Sequence, residues 1–101
     1  KFVTIEGKAD TIADGIDNFD HSFFFHLGTD ALLRSKTIST VDWTKVNDNK
    51  YKTILKLDIA KILDDPINST DLRIYFASHS TSGQMAYSTV IMDQFVAAIK
   101  K

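Results

Sequence analysis

The chain has 101 residues, 44% of them hydrophobic, with a formal net charge of −1 and no cysteine. That length and apolar share fit a single domain, residues 1–101, able to bury a core without covalent staples. The near-zero charge gives no basic face for nucleic acid, and the lack of cysteine excludes disulfides, cysteine zinc sites, iron–sulfur clusters and thiol nucleophiles.

Residues 2–5 are apolar-rich and read as an opening strand. Residues 10–20 carry Asp10, Asp14, Gly15, Asp17, Asn18 and Asp20. They lack the ligand spacing and closing Glu of an EF-hand, so a solvated acidic loop is expected. Residues 22–27 are strongly strand-like. Alternation sends Phe23, Phe25 and Leu27 to one side and Phe24 and His26 to the other. Apolar groups on both faces predict a central strand, ended by Gly28.

Residues 36–43 are rich in Thr, Ile and Val and predict a further strand. Asn47-Asp48-Asn49 is turn chemistry. Residues 51–58 then alternate, with Tyr51, Thr53, Leu55 and Leu57 on one face, which predicts a half-buried hairpin partner. Asp58 is placed to cap a short helical turn over 59–63, and Pro66 stops it. Residues 72–77 predict another strand, with Leu72, Ile74 and Phe76 sharing a face.

Near the end, Met85, Val90, Ile91, Phe95, Val96 and Ile99 form an apolar stripe at helical spacing. Thr81 and Gln84 stand at capping-box spacing, and Lys100 and Lys101 suit the negative end of the helix dipole. The expected fold is mainly β, an antiparallel β-sandwich-like domain with a C-terminal α-helix.

The chemistry-bearing residues are three histidines: His21, His26 and His79. Imidazole is the commonest protein ligand for borderline metals. His21 and His26 point to opposite faces of a flat strand, so they do not chelate together. The better pair is His26 with His79, both near the ends of predicted strands. Met85 is the candidate third ligand, its thioether favouring Cu(I), and Met92 is a second soft donor. The bland alternatives are a core or boundary histidine on a phenylalanine-rich strand, a solvated histidine in a serine-rich loop, and methionines that fill a core.

No Gly-x-Ser-x-Gly elbow, Walker loop or dinucleotide fingerprint is present, so no catalytic residue is assigned. A small hydrolase built on His79 and its neighbouring serines is the least favoured reading. Asn68-Ser69-Thr70 fits a glycosylation sequon. No apolar run is long enough to cross a membrane as a helix. The first residue is Lys1, not Met, which reads as a processed or trimmed product with room upstream for a targeting segment, a lipid anchor or another domain.

Four segments carry a resemblance. They are Phe24-Phe25-His26-Leu27-Gly28-Thr29, Leu55-Lys56-Leu57-Asp58-Ile59-Ala60-Lys61-Ile62-Leu63, Ser78-His79-Ser80-Thr81-Ser82-Gly83 and Met92-Asp93-Gln94-Phe95. Together they resemble the C-terminal part of the MbnP-like family, copper-binding periplasmic proteins of the methanobactin-operon type. The resemblance covers about the last four-fifths of the chain and implies a β-rich sandwich-like domain. It also implies a secreted or periplasmic, non-catalytic protein that takes copper, with His26 and His79 at the matching positions. Some relatives place a modified tryptophan beside the histidines, and Trp43 is the one tryptophan here. The alternative is a metal-free protein- or glycan-interaction module of a cell-surface protein, with Trp43, Tyr51 and Tyr75 as its platform.

Overall fold

The computed structural model describes residues 3–39, 41–63, 71–79 and 82–101. In chain order these form β1 (Val3–Ala9), β2 (His21–Leu27), β3 (Thr44–Asn47), β4 (Lys50–Lys52), β5 (Lys56–Leu57), α1 (Ile59–Leu63), β6 (Ala77–Ser78), α2 (Met85–Ala98) and β7 (Ile99–Lys100). Short 3-10 turns sit at Asp30–Leu32 and Ser82–Gln84. The architecture is therefore a set of small sheets with one long C-terminal helix.

β2 is the middle strand of a three-stranded sheet, β1-β2-β6. One of its faces, with Phe25 and Leu27, is buried and the other, with Phe24 and His26, is half-buried, and its place between two strands is the central one the sequence predicts. β1 runs antiparallel to it along its whole length, from Val3 opposite Leu27 to Ala9 opposite His21. β6 joins on the other side in parallel, pairing Phe24 with Ala77 and Phe25 with Ser78. This sheet is thus mixed, whereas an antiparallel arrangement is what the sequence suggests. The remaining strands form two antiparallel ribbons, β3-β4 and β5-β7.

The core lies between the Phe25–Leu27 face of β2 and α2. Phe25, Leu27, Leu32, Ile62, Ile91, Met92 and Ala98 are buried together, with Val3, Ile5, Phe23 and Phe95 packed around them. Each large apolar side chain taken fully from water contributes about 1.5–3 kcal/mol. Gly7 lies opposite Phe23, and a Cβ there would meet Phe23 Cζ at 2.7 Å. The bare backbone at that position lets the Phe23 ring lie across β1.

Two features anchor α2. The hydroxyls of Ser78 and Ser88 hydrogen-bond to each other inside the core, tying β6 to the helix. At the C-terminal end, Lys36 Nζ donates to the carbonyls of Val96 (2.9 Å), Ala97 (3.3 Å) and Ile99 (2.6 Å). They lie at the end of the helix and just past it, at the negative end of its dipole, where carbonyls run out of ladder partners; the Val96 carbonyl also accepts the Ile99 N–H. The expected dipole partner Lys100 is engaged elsewhere. It lies in β7 and pairs with Asp58 at 3.6 Å, and the Asp58 N–H donates to the Ala98 carbonyl at 3.0 Å.

Several expectations need correction. The helix starts at Met85, and Gln84 Oε1 accepts the His79 N–H at 2.8 Å; Thr81, its expected capping partner, lies outside the described residues. Val90 is on the surface and Ile99 has left the helix, while Ser88 and Gln94 are buried. The predicted 36–43 strand is irregular backbone among its described residues. The hairpin instead closes tightly on the Asn47–Asn49 turn, where Asn47 Oδ1 accepts the Asn49 N–H at 3.1 Å. The predicted 51–58 strand is split between β4 and β5, with Leu55 and Leu57 exposed.

The predicted 72–77 strand is mostly a turn. Asp71 accepts the Arg73 N–H and its guanidinium at 2.9–3.0 Å, and its carbonyl accepts from Ile74 and Tyr75. These local bonds compete with strand pairing, leaving two residues in β6. Arg73 also holds the Asp71 carboxyl below the usual carboxylate range. By contrast α1 forms where expected, with Asp58 Oδ1 accepting the Lys61 N–H at 3.3 Å. Pro66 and Asn68-Ser69-Thr70 lie outside the described residues. No helix among the described residues is long and apolar enough to cross a membrane.

Burial separates side chains that look alike in sequence. Phe25→Ala is expected to cost about 3–5 kcal/mol in denaturant unfolding. Ile54→Ala, in a segment of equal apolar character but 72% exposed, is expected to change stability by less than about 0.5 kcal/mol.

Candidate functional site

Alternation along β2 places Phe24 and His26 on the face away from the core. The β1 register puts Glu6 opposite Phe24, Thr4 opposite His26 and Lys8 opposite Ser22, so these polar groups share that outer face. On the other side, β6 fixes Phe25 beside Ser78. Ser78 points inward and is buried. The next residue, His79, therefore comes out beside His26.

The two imidazoles are neighbours. Their ring centroids are 5.1 Å apart, with planes at 77°. Phe24 lies against both, 5.4 Å from His26 and 5.0 Å from His79. Glu6 Oε1 accepts from His26 Nε2 at 2.5 Å. The His26 side chain is largely covered and Glu6 is open to solvent. An N–H donated from Nε2 leaves the lone pair of a neutral ring on Nδ1. Around these groups is an open depression of about 610 Å³, lined by Glu6, Lys8, Phe24, His26 and His79 among others.

The other candidates go elsewhere. Met85, proposed as a third ligand, packs against the core and does not line the depression. Met92 is buried in the core itself. His21 sits on the opposite face of β2 from His26. Its ring meets Phe76 edge-on at 5.2 Å, and its Nε2 is buried without a hydrogen-bond partner. Trp43 is exposed just before β3 and is not part of the depression. The Ser78 hydroxyl, a serine close to His79 in sequence, is committed to Ser88 in the core. Among the described residues, no group of three or more His, Asp or Glu side chains is placed to hold a metal. The donor set is therefore two imidazoles, with a carboxylate bonded to one of them.

Glu6 and Lys8 join the site only through the β1 register. Their signal in the sequence is the Thr4-Glu6-Lys8 alternation with Val3, Ile5 and Gly7, which marks the outer side of a strand.

The acidic loop between β1 and β2 uses its carboxylates on its own backbone. Asp10 accepts the Asn18 N–H at 3.1 Å and the Ile12 N–H at 3.0 Å. Asp14 accepts the Ile16 N–H at 2.9 Å. Asp10 spans the loop, and the N–H groups of Asn18 and Ile12 hold its carboxyl below the usual carboxylate range.

No protein-family model, curated protein or solved structure matches this chain.

The Asp10 bonds give a pH signature. A carboxyl whose folded pKa is lowered adds stability above its unfolded value and loses it as pH falls through the folded value. Protection of the Ile12 and Asn18 amides, measured as exchange relative to the unfolded chain at the same pH, should therefore be present at neutral pH and be lost below about pH 4. Asp10→Ala should lack that protection at neutral pH as well.

Proposed function

We propose that this chain is a secreted or periplasmic, non-catalytic copper-binding protein that takes the metal between His26 and His79. The observation that carries this reading is the 5.1 Å separation of the two rings. With metal–nitrogen bonds of ~2 Å, two imidazoles on one ion keep their centroids about 5–6 Å apart. The observed separation falls in that range. Copper suits a donor set of imidazoles, and the ion would supply either simple storage or one-electron chemistry once bound.

The chain's own contribution is positioning. β2 is paired on both sides, and the β1 register sets His26 opposite Thr4. Gln84 accepts the His79 N–H and anchors that backbone. Glu6 on His26 Nε2 fits the carboxylate that orients a ligating imidazole and raises its basicity. Phe24 packs against both rings. The sequence motifs around His26 and His79 support kinship with the MbnP-like proteins, and a sandwich-like stacking of the small sheets belongs to the same proposal.

Titration of Cu(I) and Cu(II) against a chromophoric chelator tests this directly. The wild-type protein should bind one equivalent, and His26→Ala or His79→Ala should each weaken binding by at least about tenfold. Glu6→Gln should weaken it about tenfold with the fold unchanged. Protons compete for the same nitrogens, so affinity should fall as the pH is lowered below neutrality. A wild-type protein that binds no copper, or binding indifferent to both histidine substitutions, overturns the proposal.

A further inference from the structure

The β3-β4 ribbon stands alone. Among the described residues it pairs with no other strand, and all seven of its residues are exposed. Trp43 at its foot is 66% exposed and Tyr51 56%. A two-stranded hairpin without packing is marginal in water. The molecule is also extended, with a radius of gyration of 16.5 Å, against about 13 Å for a compact chain of this length. Trp43 and Tyr51, with Val46 in the same ribbon, give this otherwise polar hairpin exposed apolar groups, and exposed apolar patches mark interaction surfaces.

The ribbon is cationic as well as apolar. Lys45, Lys50, Lys52 and Lys56 lie in or beside it, against Asp42 and Asp48. The complementary surface is on the same chain. The loop between β1 and β2 carries Asp10, Asp14, Asp17 and Asp20 with no cation. It also presents Ile16, 68% exposed, and Phe19, 59% exposed. One surface offers apolar groups framed by ammonium charge, and the other offers apolar groups framed by carboxylate.

We propose that the β3-β4 ribbon of one copy docks on the acidic loop of a second copy. Such a contact joins two different surfaces, so it is heterologous and propagates head to tail into a ring or a chain of copies. Apolar contact supplies the attraction, and opposite charge sets the pairing of unlike surfaces. Neither surface contains His26 or His79, so this proposal and the copper reading fail independently.

Sedimentation of the whole chain at rising concentration tests it. Mass should increase with concentration, and added salt should weaken the association by screening the charge pairing. A ribbon variant, Trp43→Ser with Tyr51→Ser, and a loop variant, Ile16→Ser with Phe19→Ser, should each weaken self-association at least about tenfold. Circular dichroism should remain that of the wild type, since all four side chains are exposed. Mixed in equal amounts, the two variants keep one intact ribbon and one intact loop, so they should form a dimer that grows no further. That rescue also shows both variants to be folded. A wild-type chain that stays monomeric overturns the proposal. So does association lost in the ribbon variant but kept in the loop variant, which would mean ribbon-to-ribbon contact. Failure of the mixture to form dimers also overturns it.

Discussion

Phe25 and Leu27 are completely buried beneath α2, and the orientation of β2 follows from that burial. Strand side chains alternate with a period of two, so a strand has only two ways to face. Slipping β2 by one residue would expose Phe25 and Leu27 and drive His26 into the core. The loss of burial, about 1.5–3 kcal/mol for each large apolar side chain, together with the desolvation of an imidazole, rejects that alternative. The outward direction of Phe24 and His26 is thus a consequence of core packing.

The second constraint is the parallel seat of β6. Only two residues pair there, so the ladder alone is weak. The buried hydroxyl bond from Ser78 to Ser88 supplies the missing hold, because an inward serine must find a partner in the apolar interior. With Ser78 fixed inward, His79 has to turn outward beside His26. Polar contacts between distant segments recur at the far end of α2, where Lys36 reaches carbonyls of the last helical turn and β5 meets β7. Each of these ties a short, locally weak element to the helix.

The site that results is sparse but organised. Two imidazoles and a phenyl ring lie against one another on β2 and the segment beside it. A carboxylate from β1 fixes one imidazole nitrogen. Of the two helix thioethers, Met92 fills the core and Met85 packs partly buried against it, where a flexible apolar side chain packs well.

Some of this was legible from the residues. The inward and outward sets of β2, its central place, the acidic loop, the Asn47–Asn49 turn and the Asp58 cap all rest on strand alternation or on side-chain bonds a few residues long. Local chemistry is enough to specify them. The failures were strands over 36–43 and 72–77 and a continuous one over 51–58. Their β-branched and alternating composition is real, but strand formation also needs a partner and a buried face, and most of these residues have neither. Similarly, the choice of Lys36 over Lys100 to cap α2 depends on which lysine the fold brings near, not on distance along the chain. The sequence by itself determined that His26 could not act with His21, because alternation separates them on any flat strand. Only the tertiary structure decided that His26 meets His79 and Glu6, because strand register is set by core burial between segments that are remote along the chain.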